Sequence, residues 1–408
     1  VVVVPYEGIT AMYGGLHCST QVFRNITDTV PVTPDVQKEE RRRRKKDQDD
    51  KSDAVKRIES SRLKAVFSNA DIFLPREVRD LPPTFHRMVS KNEILRETQI
   101  ADTVLMMAPT QFRWNEETSS DHDGMSKSAE AVLDMFGVKT MEDIRAKAME
   151  EFSYLHMELE KLGLKIHLYT HLPVHDTPDA IFVRNWFSTH SAIETKGEAA
   201  YVLYPLKYSS RRRERRHSII EGLAVSRPQE INLSKFEIGT NPYFVEGLAS
   251  LVLDRLNKVA YALIGPRTDP IMVAIWAGKL GYDIRFLKSK IKCFTSDILF
   301  IGTTFAILCD EVLEESSRMD VLESLKQSKR DIILISDDQR KNFCASVCQL
   351  KTGDGESALV MSTRAYEHFS RNDLRIILEH VKHIRHVKFD VIETVGGSSV
   401  GACIGEIF

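Results

Sequence analysis

Arginine is the residue type whose spacing most clearly suggests chemistry in this sequence. Between Leu203 and Arg216 the chain reads LYPLKYSSRRRERR, which places five arginines within six positions. The cationic residues of this stretch are Lys207, Arg211, Arg212, Arg213, Arg215 and Arg216. In a helix Arg211 would lie beside Arg215, and converging guanidinium groups bind phosphate oxygens through charge-assisted bidentate hydrogen bonds. The stretch therefore predicts an anion site, although Glu214 equally allows a segment of structural ion pairs.

The second candidate for chemistry is the thiol of Cys403, within the closing residues GGSSVGACIGEIF. A cysteine acts as a nucleophile when a base or a positive charge keeps it ionised. The small residues predict a turn followed by a strand, on which neighbouring side chains point to opposite faces. If Ala402 faces a pocket, Cys403 faces away from it. The six cysteines are scattered without a CxxC pair, so we predict buried thiols and no metal site.

The overall composition limits the classes of partner and compartment. Lys and Arg total 56 against 58 for Asp and Glu, so the formal net charge of -2 gives no whole-molecule attraction for a polyanion. No apolar run approaches the length of a membrane span, which predicts a soluble chain without a membrane partner. The first residue is Val1, which fits either removal of a targeting segment or a truncation.

The elements that must position these residues divide the chain into two regions. Residues 1–103 are predicted to form an N-terminal arm with a charged linker from Gln37 to Lys51, followed by a helix. The basic tract Arg41 to Lys46 within it either holds RNA phosphates or is neutralised by the flanking carboxylates. Residues 104–408 alternate short apolar strands, such as Ala180 to Ser188, with amphipathic helices. This alternation predicts an α/β fold with an internal repeat.

Five motifs occur in an order that resembles the arginine-deiminase-like, or pentein, superfamily, and the citrulline-utilisation hydrolases are the most similar branch. They read TPDAIFVRNWFSTH, LYPLKYSSRRRERR, FVEGLASLVLDR, AYALIGPRTD and GGSSVGACIGEIF. The resemblance implies a pseudo-fivefold α/β propeller over residues 104–408, with the end of the chain contributing to a central pocket. It implies no cofactor.

The resemblance also exposes departures at the catalytic positions. Ala402 stands where the hydrolases have the nucleophilic cysteine, and Phe294 stands where they have the histidine that moves protons. Neither side chain can perform the role of the residue it replaces. The glycine-rich turn of the hydrolases reads EGLA here, so Leu248 and Ala249 are expected to add bulk. The sequence therefore predicts a pseudoenzyme.

The remaining expected site residues come from the same motifs. Arg184 stands where the hydrolases commonly have an uncharged amide, and together with Arg267 it is expected to add donors at the pocket mouth. The expected pocket residues are Asn115, Glu116, Asp179, Asn185, His190, Glu246, Thr295 and Ser398. In the hydrolases the position of Asp179 grips a guanidinium group, whereas the added arginines favour an anion.

A pentein that has lost both catalytic residues and carries an N-terminal arm resembles the guide-RNA-associated proteins of kinetoplastid mitochondria. These are subunits of the RNA editing substrate-binding complex. The resemblance implies a matrix protein that binds and stabilises guide RNA without catalysis, with a related paralogue and other editing proteins as partners. In at least one of the two paralogues the pocket would bind an RNA 5'-triphosphate. Two alternatives stay open: a scaffold subunit that pairs with an RNA-binding paralogue, and an active hydrolase that uses Cys403.

Overall fold

A computed structural model describes residues 98–119 and 128–408 of the chain. The predicted linker and helix of the N-terminal arm lie outside the described residues, so the arm and its boundary at residue 103 stay predictions. Among the helices described, none combines the length and the apolar character that a membrane crossing requires.

Fifteen strands in the described residues form five sheets of three strands each. In chain order they are β1 Thr103–Met107, β2 Lys165–Tyr169, β3 Phe187–His190, β4 Ala200–Leu203, β5 Gln229–Asn232, β6 Leu251–Asp254, β7 Val259–Leu263, β8 Asp283–Leu287, β9 Leu299–Ile301, β10 Phe305–Leu308, β11 Asp331–Leu334, β12 Cys348–Lys351, β13 Ser357–Ser362, β14 His383–Val387 and β15 Gly405–Ile407. Each central strand (β1, β4, β7, β10 and β13) is antiparallel to one neighbour and parallel to the other. The predicted repeat is therefore a module of three strands that occurs five times.

Helices connect the strands and cover the sheets. They are α1 Ala129–Phe136, α2 Met141–Lys161, α3 Ala192–Thr195, α4 Ser209–Arg212, α5 His217–Ala224, α6 Gly247–Ser250, α7 Pro270–Leu280, α8 Glu315–Gln327, α9 Asp337–Lys341, α10 Thr363–His368, α11 Arg371–His380, α12 Asp390–Gly396 and α13 Val400–Cys403. Local sequence sets their ends. For α7, the Asp269 side chain accepts a hydrogen bond from the N–H of Ile271 at 2.8 Å, Pro270 takes the first position, and Gly281 ends the helix in the left-handed conformation.

The last strand closes the first sheet. β15 pairs with β1 in antiparallel register, with Thr103 opposite Ile407, so the end of the described chain completes the module that the beginning opens. The closing stretch is only partly the predicted strand, because Val400–Cys403 forms a helical turn before it. Gly401 makes this turn possible, since a Cβ there would lie 2.8 Å from the carbonyl oxygen of Val347.

The modules surround one cavity. Strands β6, β9, β12 and β15, each at an outer position in its own sheet, all contribute residues to its wall, and Arg184 adds the second module. We call this space of about 50 Å³ the axial cavity. The apolar cores lie between the sheets and their helices, where Phe152, Trp186 and Trp276 are fully buried. The wall of the axial cavity itself is mixed, with apolar residues such as Leu253 and Ile301 beside the charged Arg184 and Glu406.

Candidate functional site

Short helical turns precede four of the strands nearest the axial cavity and bring the candidate residues together. They are Val183–Asn185 before β3, α6 before β6, Thr295–Asp297 before β9 and α13 before β15. The predicted strand from Ala180 to Ser188 is therefore wrong in its first part, since the strand begins at Phe187. Because apolar residues flank this buried turn on both sides, its pattern looks like that of a strand.

Gly247 lets two of these turns touch. Its φ is +49°, and a Cβ there would lie 2.2 Å from the carbonyl oxygen of Arg184. The close backbone approach is thus retained, although Leu248 and Ala249 follow, and both of these side chains are buried. The expectation that their bulk disrupts the approach is wrong, because Gly247 alone makes it.

A shallow depression lies next to these turns and has room for about one water molecule, with a volume of about 20 Å³. The residues that line it are Thr118, Asp179, Phe182, Asn185, Arg211, Ala249, Arg267, Phe294, Gly396, Gly397 and Ser398. No cysteine or histidine is among them. Within the described residues, no group of three or more His, Cys, Asp or Glu side chains is arranged to hold a metal ion.

Only one carboxylate oxygen of Asp179 accepts hydrogen bonds. Its Oδ2 accepts hydrogen bonds from Asn115 Nδ2 at 2.8 Å and from Thr118 Oγ1 at 3.1 Å. Its Oδ1 is buried and has no hydrogen-bond partner. The depression therefore keeps a carboxylate that attracts cations or hydrogen-bond donors, which is the opposite of what an anion requires.

Arg267 forms a buried ion pair with Glu246 at the edge of the depression. Glu246 also accepts hydrogen bonds from Asn185 Nδ2 and from the N–H of Lys207, both at 3.3 Å. Burial by itself raises the pKa of Glu246, but the positive charges of Arg267 and Arg211 outweigh it and hold the pKa below its usual value. Glu246 is therefore ionised and neutralises Arg267.

Phe294 supports this ion pair through its ring. The guanidinium carbon of Arg267 lies 4.5 Å from the centre of the Phe294 ring and 5.5 Å from that of Tyr208. Such contacts between a cation and a π face stabilise a partly desolvated guanidinium. Phe294, which stands where the hydrolases have their proton-transfer histidine, thus packs against Arg267.

The arginine run does not form one helical face. The helix ends at Arg212, because α4 spans only Ser209–Arg212 and the chain turns before α5 begins at His217. Arg211 is buried and bonds to Glu214 at 2.5 Å and to the carbonyl oxygen of Phe182 at 3.0 Å. The prediction that Arg211 and Arg215 share a helical face is wrong, because Glu214 folds back onto Arg211.

The other basic side chains of the run also have intramolecular partners. Arg212 donates to the carbonyl oxygens of Leu206 and Lys207, Arg213 pairs with Asp176, Arg215 pairs with Glu237, and Arg216 contacts His175. Lys207 lies beside the ring of Tyr208. Of the two readings that the sequence allowed, the positions of these side chains match the segment of structural ion pairs.

Arg184 points into the axial cavity and away from the depression. Its Nη1 donates to the carbonyl oxygen of Gly401 at 3.0 Å, and its Nη2 lies 3.4 Å from Glu406 Oε2. Arg184 therefore lines the axial cavity together with Ala402 and does not meet Arg267, which lines the depression. The cause is the turn Val183–Asn185, which places Asn185 towards Glu246 and Arg184 towards the axis.

Ala402 and Cys403 face different environments. Ala402 lines the axial cavity beside Arg184, whereas Cys403 is fully buried in the core. Burial raises the pKa of the Cys403 thiol well above its usual value, so it stays protonated. Cys403 turns away as expected, although a helical turn produces this separation and not the alternation of a strand.

The remaining expected pocket residues have different positions. Ser398 lines the depression, and Thr295 is buried, donating to the carbonyl oxygen of Ser250 at 2.6 Å. Glu116 is exposed at the surface, whereas the neighbouring Glu117 accepts a hydrogen bond from Ser210 Oγ at 2.6 Å.

His190 is not a pocket residue, so that expectation is wrong. It is fully buried between Glu194, at 2.7 Å, and Ser188, at 2.8 Å. These hydrogen bonds hold the ring inside the second module, away from both the depression and the axial cavity.

Gln99 is a residue that the sequence did not point to. Its Nε2 donates to the carbonyl oxygens of Leu253 at 2.8 Å and Ile301 at 3.2 Å, and its Oε1 accepts from the N–H of Arg255 at 2.9 Å. It thereby links the third and fourth modules at the wall of the axial cavity. A lone glutamine next to a charged stretch carries no pattern that predicts this role.

Comparison with known proteins identifies the wider group. The family model for eukaryotic N,N dimethylarginine dimethylhydrolase matches residues 108–408. None of the curated protein sequences that were compared matches the chain.

Solved structures agree with this match. The apo structure of ArgZ, an arginine dihydrolase from the ornithine-ammonia cycle in cyanobacteria, is similar with a TM-score of 0.57 and 13% identity over 74% of this chain. The chain spans only 40% of full-length ArgZ, but 98% of its separate N-terminal domain. Dimethylarginine dimethylaminohydrolase in its S-methyl-L-thiocitrulline adduct gives a TM-score of 0.51 at 14% identity, over 75% of this chain and 99% of that one. These likenesses confirm the predicted α/β pentein fold.

Proposed function

The chain belongs to the eukaryotic N,N dimethylarginine dimethylhydrolase family, and from this premise we propose that it is a non-catalytic member of the guanidine-modifying hydrolase superfamily. It serves as a subunit of the mitochondrial RNA editing substrate-binding complex in the matrix. There it stabilises guide RNA together with a related pentein paralogue and other editing proteins. Within that pair its role is assembly of the complex, and the paralogue recognises the RNA.

The proposed loss of catalysis rests on the side chains at positions 402 and 294. Ala402 offers no nucleophile, and the ring of Phe294 packs against Arg267. The neighbouring thiol of Cys403 is buried and held protonated, so it does not replace the missing nucleophile. A purified chain is expected to release neither citrulline nor ammonia from guanidino substrates.

The size and charge of the depression support the assembling role. A triphosphate needs several free donors, whereas the arginines here bond to Glu214, Glu246 and main-chain carbonyl oxygens. Asp179 adds a buried carboxylate with a free oxygen, which repels phosphate. The alternative role, in which this pocket itself binds the RNA 5'-triphosphate, has less support from these contacts.

The pairing is tested by expressing the chain alone and together with the paralogue, then measuring the mass of each product and its affinity for a short guide-like RNA. We expect the chain alone to bind RNA weakly and the hetero-oligomer to bind it tightly, with strong salt dependence from displaced counterions. Equally tight binding by the chain alone, with no mass increase on co-expression, would exclude the assembling role.

The hydrolase alternative makes a different prediction. If Cys403 acted as nucleophile, citrulline or ammonia release would be detected and would vanish in Cys403→Ala. Because its thiol lies in the core, we expect no release in either protein. The variant Cys403→Ala is then expected to change only stability, by removing a buried sulfur atom.

A further inference from the structure

A second cavity lies apart from the depression, beside the first module and helix α5. Its volume is about 370 Å³. A cavity of about 150 Å³ already holds a molecule of the size of benzene, so this one has room for two branched aliphatic side chains. Its apolar wall is formed by Ile100, Leu105, Leu223, Val225, Ile407 and Phe408. We call this space the lateral cavity.

Several side chains of the apolar wall are only partly covered. Val225 is 42% exposed, and Ile100, Ile407 and Phe408 are half-buried. Apolar side chains that lie together around an open cavity mark a site for a further apolar group.

The polar side chains of the wall already have partners. Arg227 Nε donates to the main-chain oxygen of Phe408, and Arg227 Nη1 donates to Ser226 Oγ, both at 2.8 Å. Asp102 Oδ2 lies 3.6 Å from Lys165 Nζ. The lateral cavity therefore favours an apolar occupant over a charged one.

The first residue that the structure describes belongs to this wall. Thr98 lines the lateral cavity, so residues 1–97 join the described chain at the cavity itself. The residues directly before Thr98 read KNEILRE, in which Ile94 and Leu95 are adjacent. An extended chain advances at most about 3.6 Å per residue, so Ile94 lies no more than about 14 Å from Thr98. Both aliphatic side chains are therefore within reach of the cavity.

We propose that the lateral cavity is the docking site for Ile94 and Leu95 of the same chain. Docking removes the hydrocarbon surface of these two side chains and of the apolar wall from water. The charges also match, because Glu97 can then lie beside Lys351, whose exposed side chain lines the cavity. The docked segment fixes the chain before Thr98 against the first module, and this inference is independent of the proposed role with RNA.

Oxidative cross-linking of the full chain tests the proposal. Leu95→Cys/Val225→Cys places a thiol on each partner, and Leu95→Cys/Ile238→Cys is the control, because Ile238 is 76% exposed and lies outside the cavity. A disulfide needs two Cα atoms within about 7 Å, so we expect residues 95 and 225 to be linked about ten times more often than residues 95 and 238. Peptide mass spectrometry measures both yields, and the linked product should run as a monomer on a non-reducing gel.

A second measurement keeps the test decisive if the cysteine variants fail to fold. Ile94→Asp/Leu95→Asp is expected to leave the cavity open to 8-anilinonaphthalene-1-sulfonate and to raise the fluorescence of this apolar probe about threefold. Adding Val225→Trp, which narrows the cavity, should cancel the rise, whereas adding Ile238→Asp should not. Equal cross-linking yields in the two cysteine pairs, a link between residues 95 and 225 that occurs only in a dimer, or unchanged fluorescence would overturn the proposal.

Discussion

Replacing Glu246 by Gln tests whether the arginines at the depression are structural. Glu246 is fully buried, and the substitution leaves the guanidinium of Arg267 buried without its counter-charge. Breaking a buried ion pair by removing one partner costs about 3 to 5 kcal/mol. Asn185 and Lys207 donate to different oxygens of Glu246, and the single amide oxygen of Gln can keep only one of these hydrogen bonds. We therefore expect a loss of about 3 to 5 kcal/mol in the free energy of unfolding.

The double variant Glu246→Gln/Arg267→Met sharpens this prediction. Methionine removes the unpaired charge and can pack against the rings of Phe294 and Tyr208, which contact Arg267. Replacing a buried ion pair by apolar contacts is often close to neutral, so the double variant should recover most of the lost stability.

Urea denaturation monitored by circular dichroism measures both changes. Glu379→Gln is the matched control, since it breaks an exposed ion pair on α11 and should change the free energy of unfolding by about 0.5 kcal/mol or less. If Glu246→Gln behaved like this control, or if the double variant were less stable than the single one, the structural role of Arg267 would be refuted.

Three further predictions concern Gly247, Ala402 and Glu393. Gly247→Ala should reduce stability by several kcal/mol, measured by urea denaturation, because its Cβ would meet a main-chain oxygen at 2.2 Å; a loss under about 1 kcal/mol would contradict the close approach. Ala402→Cys should yield no citrulline in a colorimetric assay, since Phe294 cannot move a proton; release above the parent chain would contradict this. Burial raises the pKa of Glu393 to about 7, so the folded chain holds a proton that the unfolded chain releases near pH 4.5, and stability should fall as pH rises from 4.5 to 7. Glu393→Gln should weaken that dependence in pH-resolved denaturation without abolishing it, because burial also raises the pKa of Glu151 and of Glu214 to about 7. The exposed Glu367→Gln should leave the dependence unchanged.

Much of the fold follows from the pattern of apolar residues. The predicted alternation of short apolar strands with amphipathic helices is seen at β1, whose five residues are all buried, and at α1, which buries Val132. The turn Val183–Asn185 was not predictable, since its conformation depends on Gly247 of another module, and a sequence pattern reports only local neighbours. The closure of the first sheet by β15 follows from the resemblance to penteins and not from composition.

The site divides in the same way. The missing nucleophile at Ala402 and the ring of Phe294 can be read from motifs, because a side chain's chemical type does not depend on its surroundings. The partners of the arginines cannot, since Glu246 and Arg267 come from different motifs and meet only in the folded chain. The direction of Arg184 likewise depends on Gly401 and Glu406, more than two hundred residues away.

The most direct test of the account is the affinity of the purified chain for one short guide-like RNA that carries a 5'-triphosphate, a 5'-monophosphate or a 5'-hydroxyl. Binding is measured for the chain alone and for its complex with the paralogue. We expect the same weak affinity for all three RNAs with the chain alone, and any preference for the triphosphate only in the complex. A triphosphate preference in the chain alone, lost in Arg267→Met, would contradict it and assign the RNA end to this subunit's own pocket.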